Sequence, residues 1–377
     1  MKKNYIEKLG IKLPQLGFGC MRFPTKDNKI DFETAKEMVH YAMSNGLNYF
    51  DTAYPYHEGE SETFLGKVLP EFPRESYFLT SKLPIWKIEN EEDAEKYFNE
   101  QLEKCHTDYF DFYLLHAMGT KRVEIMETFN LYDFIAKKKA EGKVKHIGFS
   151  FHDKNEVLEK LVSSYDWDFV QLQINYWDFS ENEADKVYRT LEKHGIPCFV
   201  MEPVRGGFLS SFAPHVEKCM KEYEPDVSIA SWAIRWVASL SNVAIVLSGM
   251  SNMEQLKDNI ATMSDFKPIN SDELKILDNV VDELRKIHPI PCTGCRYCMD
   301  CAFGVDIPEI FEIYNNYKKT ENKKLTYKNY FILLDEKSRA NNCEKCGACI
   351  TKCPQHIDIP VELEKIEKEM VQLINNY

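Results

Sequence analysis

A strand-like run followed by a helical pattern occurs eight times in succession within residues 16–262. The strand-like runs span 16–20, 47–51, 77–82, 110–116, 144–150, 169–173, 197–201 and 243–248. The helical patterns span 31–44, 60–69, 91–105, 122–141, 154–163, 181–194, 226–239 and 253–262. Runs this apolar are typical of parallel strands covered by helices, and closure into a (β/α)8 TIM barrel is the economical arrangement of eight such units. The pattern therefore predicts an α/β fold built on this barrel, with a hairpin at 5–13 closing one end.

An open, doubly wound sheet is the alternative fold. Such a sheet normally carries Gly-x-Gly-x-x-Gly in the turn after its first strand. Here the turn reads Gly17-Phe18-Gly19-Cys20-Met21-Arg22, without the third glycine. The barrel is therefore the favoured interpretation.

Three of the strand-like runs end in a side chain that can do chemistry. Asp51 ends the second run, Lys82 the third and His116 the fourth, while Tyr56 follows in the loop after the second. Active sites in this fold gather at the C-terminal ends of the strands. The four side chains are therefore expected to converge on one face of the barrel.

Together these four residue types suit the reduction of a carbonyl. Hydride addition leaves an alkoxide that must be protonated, and a free tyrosine, with a pKa of about 10, is a poor donor at neutral pH. Lys82 beside Tyr56 would lower that pKa, Asp51 would hold Lys82, and His116 would orient the carbonyl oxygen. Taken singly, each has a structural explanation, such as a buried ion pair for Asp51 with Lys82.

Three phrases in order carry a resemblance to a known family. Phe-Asp-Thr-Ala-x-x-Tyr at 50–56, Thr-Ser-Lys at 80–82 and Asp-Phe-Tyr-Leu-Leu-His at 111–116 resemble the aldo-keto reductases, over about residues 5–287. The resemblance implies NAD(P)H-dependent carbonyl reduction with no metal at the reacting centre.

The same resemblance implies which residues hold the cofactor. Ser150 and Gln171 stand where the family binds the nicotinamide carboxamide. The loops after the last two strands would bind phosphate, as such loops do in many barrels, and their candidate residues are Arg205, Gly206, Ser248, Gly249, Ser251, Gln255 and Asn259. Ordinary glycine turns and a helix cap at Asn252 are the alternative interpretation of each loop.

Three residues depart from the usual family pattern. Met201 stands where an aromatic ring commonly stacks on the nicotinamide, Phe151 where asparagine is frequent, and Ser251 where arginine often contacts the 2′-phosphate. Both NADP(H) and NAD(H) are therefore expected candidates, and a flavin could fit the altered pocket. For the carbonyl substrate, three aromatic residues expected on loops above the barrel mouth favour a flat or apolar molecule, unless they only pack the rim: Tyr54, Trp86 and Trp177.

Eight of the twelve cysteines form two related motifs near the C-terminus. They are Cys292, Cys295, Cys298 and Cys301, then Cys343, Cys346, Cys349 and Cys353. Three cysteines at two-residue spacing can bind three corners of one [4Fe-4S] cluster while the fourth reaches the other cluster. Crossed ligation is therefore predicted, with Cys353 joining the first three cysteines and Cys301 joining the second three. Two four-cysteine zinc sites are the alternative.

This arrangement resembles two-cluster ferredoxins. Helical patterns at 308–318 and 326–337 lie between the motifs and suggest a mainly helical ferredoxin-like domain. The helical pattern at 270–288 ends at Pro289-Ile290-Pro291. We therefore predict a barrel domain at 1–288 and a ferredoxin-like domain at 289–377.

Net charge and hydropathy limit the classes of partner that the protein is expected to bind. The formal charge of −13 argues against nucleic acid and anionic membrane surfaces. No apolar run approaches the roughly 20 residues of a membrane span, and the first residues lack the apolar core of a signal peptide. A cytoplasmic location is therefore expected.

The leading hypothesis is an oxidoreductase that reduces a carbonyl in the barrel, with two [4Fe-4S] clusters passing single electrons to or from a carrier such as ferredoxin. One alternative is a simple carbonyl reductase whose clusters are structural or form a docking module. Another is a flavin-mediated electron-transfer reductase.

Overall fold

Eight parallel strands close into a barrel in the computed structural model, which describes residues 1–299 and 301–375. The strands in chain order are β1 (Lys3–Ile6), β2 (Ile11–Pro14), β3 (Leu16–Gly19), β4 (Thr25–Lys26), β5 (Lys29–Ile30), β6 (Tyr49–Asp51), β7 (Phe78–Leu83), β8 (Phe110–Met118), β9 (Val144–Phe151), β10 (Phe169–Gln173), β11 (Cys198–Met201) and β12 (Val243–Gly249). The barrel runs from β3 through β6 to β12 in sequence order and closes as β12 pairs with β3. The (β/α)8 prediction is confirmed, and the open sheet is excluded.

Helices follow the barrel strands. They are α1 (Phe32–Ser44), α2 (Glu60–Val68), α3 (Glu91–Lys104), α4 (Thr120–Thr128), α5 (Leu131–Ala140), α6 (Asn155–Ser164), α7 (Tyr176–Glu181), α8 (Ala184–His194), α9 (Pro214–Tyr223), α10 (Ile229–Ala238), α11 (Met253–Ser264), α12 (Ser271–Ile287), α13 (Ile307–Thr320), α14 (Lys323–Tyr327) and α15 (Ile359–Asn375). The strands are buried on both faces; every residue of β8, for example, is buried. This double burial explains why the strands read as continuous apolar runs.

Several of the predicted helical patterns differ from the structure. The single helix predicted at 122–141 is two helices, because Asn130 adopts a left-handed backbone with φ of 49° between α4 and α5. Asparagine tolerates this conformation better than most residues. The helix predicted from residue 181 begins only at Ala184, and α9 was not predicted at all.

The N-terminal hairpin is present as predicted. β1 pairs antiparallel with β2, and Leu9 and Leu13 pack in one apolar cluster with inward-facing barrel residues such as Tyr49, Phe112 and Ile245. This cluster fills the N-terminal end of the barrel, leaving the C-terminal ends of the strands for a functional site.

The chain divides into two compact units. The first comprises Met1–Pro203 and Ser231–Ile269, and the second comprises Val204–Ala230 and the described residues from Asn270 onward. The segment after β11 thus folds with the cysteine-rich unit, although it precedes β12 in the chain. The domain boundary placed at residue 288 stays a prediction.

The second unit is built from helices, and no strand occurs among its described residues. Asp306 caps α13 by accepting a hydrogen bond from the Glu309 amide, and α13 packs in one apolar core with α15. The helix predicted at 326–337 was wrong in length: α14 ends at Tyr327, and the π-helical segment Lys328–Leu333 follows. The prediction of a mainly helical C-terminal region is confirmed.

Among the described residues, none of the helices has both the length and the apolar character needed to cross a membrane.

Candidate functional site

Lys82 is the centre of a buried polar cluster inside the barrel. Its ammonium donates to Asp51 Oδ2 at 2.7 Å, to the Thr52 carbonyl at 2.8 Å and to the Tyr56 hydroxyl at 3.2 Å. Only 1% of Lys82 is exposed. A buried ammonium needs such partners because burial removes its water.

The barrel register brings these groups together. Asp51 ends β6 and pairs with Thr80 on β7, two residues before Lys82, so the acid and the lysine meet at the C-terminal end of adjacent strands. Tyr56 follows in a turn in which its amide donates to the Ala53 carbonyl. The geometry of all three is therefore set by β6, β7 and the short connection between β6 and α2.

His116, on β8, completes the group. Its ring centroid lies 6.1 Å from that of Tyr56, with the planes at 79°. Trp86 also packs against His116, with ring centroids 5.1 Å apart, and the Arg122 guanidinium lies over the Trp86 ring at 5.2 Å. The four sequence-predicted catalytic residues thus lie together, with Trp86 beside them.

Burial dominates the electrostatics of the cluster. It raises the pKa of Asp51 and lowers that of Lys82, and in each case the charge of the partner acts in the opposite direction. Burial, reinforced by the positive charges of Lys82 and Arg122, lowers the pKa of His116 well below its usual value. His116 is therefore a neutral imidazole at physiological pH, able to donate one N–H.

Ser150 and Gln171 lie opposite each other on β9 and β10. The Ser150 hydroxyl accepts the Ala117 amide at 2.7 Å, and Gln171 is near enough to Asp51 to lower its pKa. Both side chains are buried. The two residues predicted to bind the carboxamide therefore belong to the same barrel interior as the catalytic group.

The loop after β12 leads into the N-terminus of α11. The Ser248 hydroxyl accepts from the Asn259 amide nitrogen at 3.0 Å, and the Ser251 backbone N–H donates to the Gln255 side chain at 2.8 Å. Asn252 caps α11 as predicted, accepting from the Gln255 backbone. Backbone N–H groups and a helix N-terminus together suit a phosphate.

Sequence reasoning missed Arg22 beside this loop. A Cβ added to Gly249 would lie 2.9 Å from Arg22 Cδ, so the arginine packs directly on the glycine. Its guanidinium also pairs with Glu202 at 3.3 Å. The sequence offered one indication of this place. Arg22 lies three residues after β3, and β3 pairs with β12 in the closed barrel.

The other two predicted phosphate contacts, Arg205 and Gly206, belong to the second unit. Gly206 has φ of 63°, and the Thr293 carbonyl leaves no room there for a Cβ. Close approach to the first cysteine motif therefore explains this glycine. A role for Arg205 and Gly206 in cofactor binding stays a prediction.

The predicted substrate residues are dispersed. The Tyr54 hydroxyl donates to Glu100 at 3.1 Å on α3, and burial raises the pKa of Tyr54 to about 12. Trp177 was expected on a loop but lies on α7, 6% exposed. Trp86 packs against His116.

The cysteines of the second unit form two groups that cross the motifs. Cys292, Cys295, Cys298 and Cys353 line one small cavity, together with apolar side chains such as Phe311 and Ile357. Burial raises the pKa of Cys298 to about 12, and the neighbouring Cys295, Cys292 and Cys353 thiols add to this effect.

The second group lies around Cys349. Burial raises the pKa of Cys349, and the nearby Cys343, Cys346 and Cys301 thiols affect it too. Within the described residues, no three Cys, His, Asp or Glu side chains come close enough to hold one metal ion.

The comparisons with known proteins agree with this architecture. The Aldo/keto reductase family model matches residues 15–282, and the 4Fe-4S dicluster domain model matches residues 291–357. The uncharacterized oxidoreductase YqkF of Bacillus subtilis (strain 168) is 25% identical over 308 residues, covering 74% of this chain and 96% of that protein. The NADH-specific methylglyoxal reductase of Escherichia coli (strain K12) is 24% identical over 313 residues, covering 70% and 94%.

A solved structure shares the fold. Aldo-keto reductase AKR11C1 from Bacillus halodurans (holo form) superposes with a TM-score of 0.60 at 24% identity, covering 74% of this chain and 96% of that chain. Because the family model covers more than half of the chain, the chain belongs to the aldo/keto reductase family and is an oxidoreductase that carries a 4Fe-4S dicluster domain in its C-terminal region.

Proposed function

We propose that the barrel reduces a small-molecule aldehyde or ketone to an alcohol, with the balance carbonyl + NAD(P)H + H⁺ → alcohol + NAD(P)⁺. The observation that carries this proposal is the contact of the Lys82 ammonium with both the Asp51 carboxylate and the Tyr56 hydroxyl. A relative named for methylglyoxal reduction with NADH supports the reaction class. When bound, the reduced nicotinamide supplies the hydride.

Each buried side chain then has one role. Tyr56 donates the proton to the carbonyl oxygen, because the ammonium of Lys82 favours its phenolate form. Asp51 holds Lys82 in place and balances its charge. His116, neutral at physiological pH, donates its N–H to the same oxygen and orients it.

The remaining candidate residues would bind the cofactor and the substrate. Ser150 and Gln171 would orient the carboxamide of NADP(H) or NAD(H), and Ser248, Gly249, Ser251, Gln255 and Asn259 would surround its phosphates. Trp86 would form one wall for a flat or apolar substrate, because it already packs on His116.

We further propose two [4Fe-4S] clusters in the domain at 289–377. The four thiols around one cavity support the first cluster, with Cys353 reaching back from the second motif. The Cys292 sulfur also accepts the Gly294 backbone N–H at 3.4 Å, the kind of hydrogen bond that tunes cluster potential. The clusters would exchange single electrons with a soluble carrier of the ferredoxin type in the cytoplasm, where reducing conditions keep cysteine thiols available as ligands.

A structural role for the clusters is the second candidate function. Five motif cysteines pack against the apolar core of the second unit: Cys292, Cys301, Cys343, Cys349 and Cys353. Clusters held there would stabilise α13 and α15 whether or not they carry electrons. Carbonyl turnover unchanged after cluster removal would favour this candidate.

The reaction is tested with protein purified without oxygen and assayed with aldehydes and ketones. Tyr56→Phe should lower carbonyl reduction at least about a hundredfold while leaving nicotinamide affinity nearly unchanged, because only the proton donor is lost. Tyr5→Phe, at an exposed tyrosine, is the matched control. Turnover of Tyr56→Phe within a few fold of wild type would contradict the proposal. Iron, sulfide and organic cofactor analysis of the same sample tests the two clusters and detects a flavin.

A further inference from the structure

A second buried polar network lies behind β7, on the outer side of the barrel wall. Side chains alternate along a strand, so Ser81 faces the helices while Lys82 faces the interior. Glu62 on α2 accepts from the Ser81 hydroxyl and from the Gln101 amide, both at 2.5 Å. Glu62 and Gln101 are fully buried.

Gln101, on α3, connects this network to Lys82. The Tyr113 hydroxyl donates to Gln101 Oε1 at 2.6 Å, which fixes the orientation of the amide. The amide nitrogen of Gln101 therefore faces Glu62 and also donates to the Lys82 backbone carbonyl at 3.1 Å. Glu62, Gln101 and the backbone of Lys82 thus form one connected path through the barrel wall.

We propose that Glu62 is a positioning residue for Lys82, holding its backbone through Gln101 and supporting its ammonium with carboxylate charge. The inference rests on the proposed role of Lys82 in carbonyl reduction. It assigns a role in that reaction to Glu62, a carboxylate that would contact neither substrate nor cofactor.

The charges around Glu62 agree with this role. Burial raises its pKa to about 7, the hydrogen bonds from Ser81 and Gln101 and the charge of Lys104 act against this shift, and Glu100 adds to it. In turn, the Glu62 carboxylate raises the pKa of Lys82, which burial lowers. Asp51 is the main charge that favours protonated Lys82, and near neutral pH the Glu62 carboxylate can add to its effect.

These charges determine the direction in which the pH dependence of kcat should change when Glu62 is replaced. Turnover that needs the Lys82 ammonium falls as pH rises through the pKa of that lysine. Glu62→Gln keeps an oxygen that can accept from Ser81 and Gln101 but removes the charge, so the alkaline fall in kcat should move to lower pH by about half a unit or more. Glu62→Ala also removes the hydrogen bonds, so its kcat should fall at every pH by about tenfold.

The test measures kcat and KM against pH for wild type, Glu62→Gln, Glu62→Ala and the exposed-charge control Glu37→Gln. Lys82→Met is assayed beside them. An unchanged alkaline limb in Glu62→Gln, while Lys82→Met is inactive, would overturn the inference. An active Lys82→Met would instead overturn the proposed function.

Stability provides a readout independent of activity. The folded state holds the Glu62 proton up to about pH 7, whereas the unfolded chain releases it near the ordinary value of 4.5. The free energy of unfolding should therefore fall as pH rises across this window. In Glu62→Gln, the part of this decrease that comes from Glu62 should be absent. The same slope in both proteins would show that Glu62 does not titrate as the inference requires.

Discussion

The indole ring of Trp86 packs against the imidazole of His116, with centroids 5.1 Å apart. The same imidazole lies 6.1 Å from the Tyr56 ring, measured between centroids. A carbonyl oxygen between Tyr56 and His116 would therefore meet donors whose directions are set before binding, which is the condition for strong stabilisation of developing charge.

His116→Ala should lower kcat about a hundredfold and change the preference between aldehydes and ketones. The neutral N–H that orients the carbonyl is lost, and the space beside Trp86 grows. The measurement is kcat/KM for a matched aldehyde and ketone, with the exposed His215→Ala as control. Equal losses for every substrate would argue that His116 does not shape the pocket.

Cofactor preference should be weak. With Ser251 where an arginine would bind the 2′-phosphate, NADPH should be favoured over NADH by less than about tenfold, since one charge-assisted pair is worth about 1.5 to 3 kcal/mol. The two dissociation constants measure this ratio. A thousandfold preference would show that another cation binds the phosphate, and Arg22→Ala would test the arginine that packs on Gly249.

Cluster ligation should cross between the motifs. Cys353→Ser should disturb the cluster held by Cys292, Cys295 and Cys298, because its thiol lines their cavity. Iron content and electron paramagnetic resonance of each reduced cluster are the readouts, with Cys219→Ser, outside both motifs, as control. Loss confined to the other cluster would show that the ligation is not crossed.

Nicotinamide alone should not reduce the clusters rapidly. A hydride carries two electrons, whereas each cluster accepts one, so a flavin or another mediator is expected between them. Stopped-flow mixing of oxygen-free, flavin-free protein with NADPH follows the visible cluster absorption. Bleaching on the timescale of turnover would refute this electron-counting argument.

Lys319 should make the second unit more stable as pH rises. Its ammonium donates to the Phe208 and Ser211 carbonyls, and burial lowers its pKa to about 8 from 10.5. Between these values the unfolded chain binds more protons than the folded one, so stability increases with pH. Hydrogen exchange of residues 204–212 at a series of pH values should show this gain in wild type and in the exposed control Lys324→Met, but not in Lys319→Met.

Local periodicity was sufficient to predict the barrel. Eight strand and helix patterns in alternation leave few topologies, and the functional side chains at the ends of β6, β7 and β8 follow from parallel strands alone. The duplicated cysteine spacing likewise indicated which thiols would meet. The barrel prediction is confirmed because it depends on a pattern repeated along the chain, whereas the cluster ligands and the catalytic roles stay predictions.

Features that depend on a single tertiary contact could not be predicted in this way. The break at Asn130 needs one left-handed residue inside a continuous helical pattern. Arg22 acquires its place beside Gly249 only when the barrel closes, and Gly206 is explained by Thr293, far away in sequence. In the sequence, Glu62 cannot be distinguished from other acidic residues in the first turn of a helix, because its burial is visible only in the structure.

The cavity shared by Cys298 and Cys353 has a consequence for how the protein is made. During synthesis Cys292, Cys295 and Cys298 leave the ribosome together, before Cys353, the fourth cysteine of their cavity, has been translated. Iron delivered at that moment would meet an incomplete set of ligands. A chain that terminated before Cys353 would lack the fourth thiol of this cavity, so the content of this cluster would report whether translation had passed that residue.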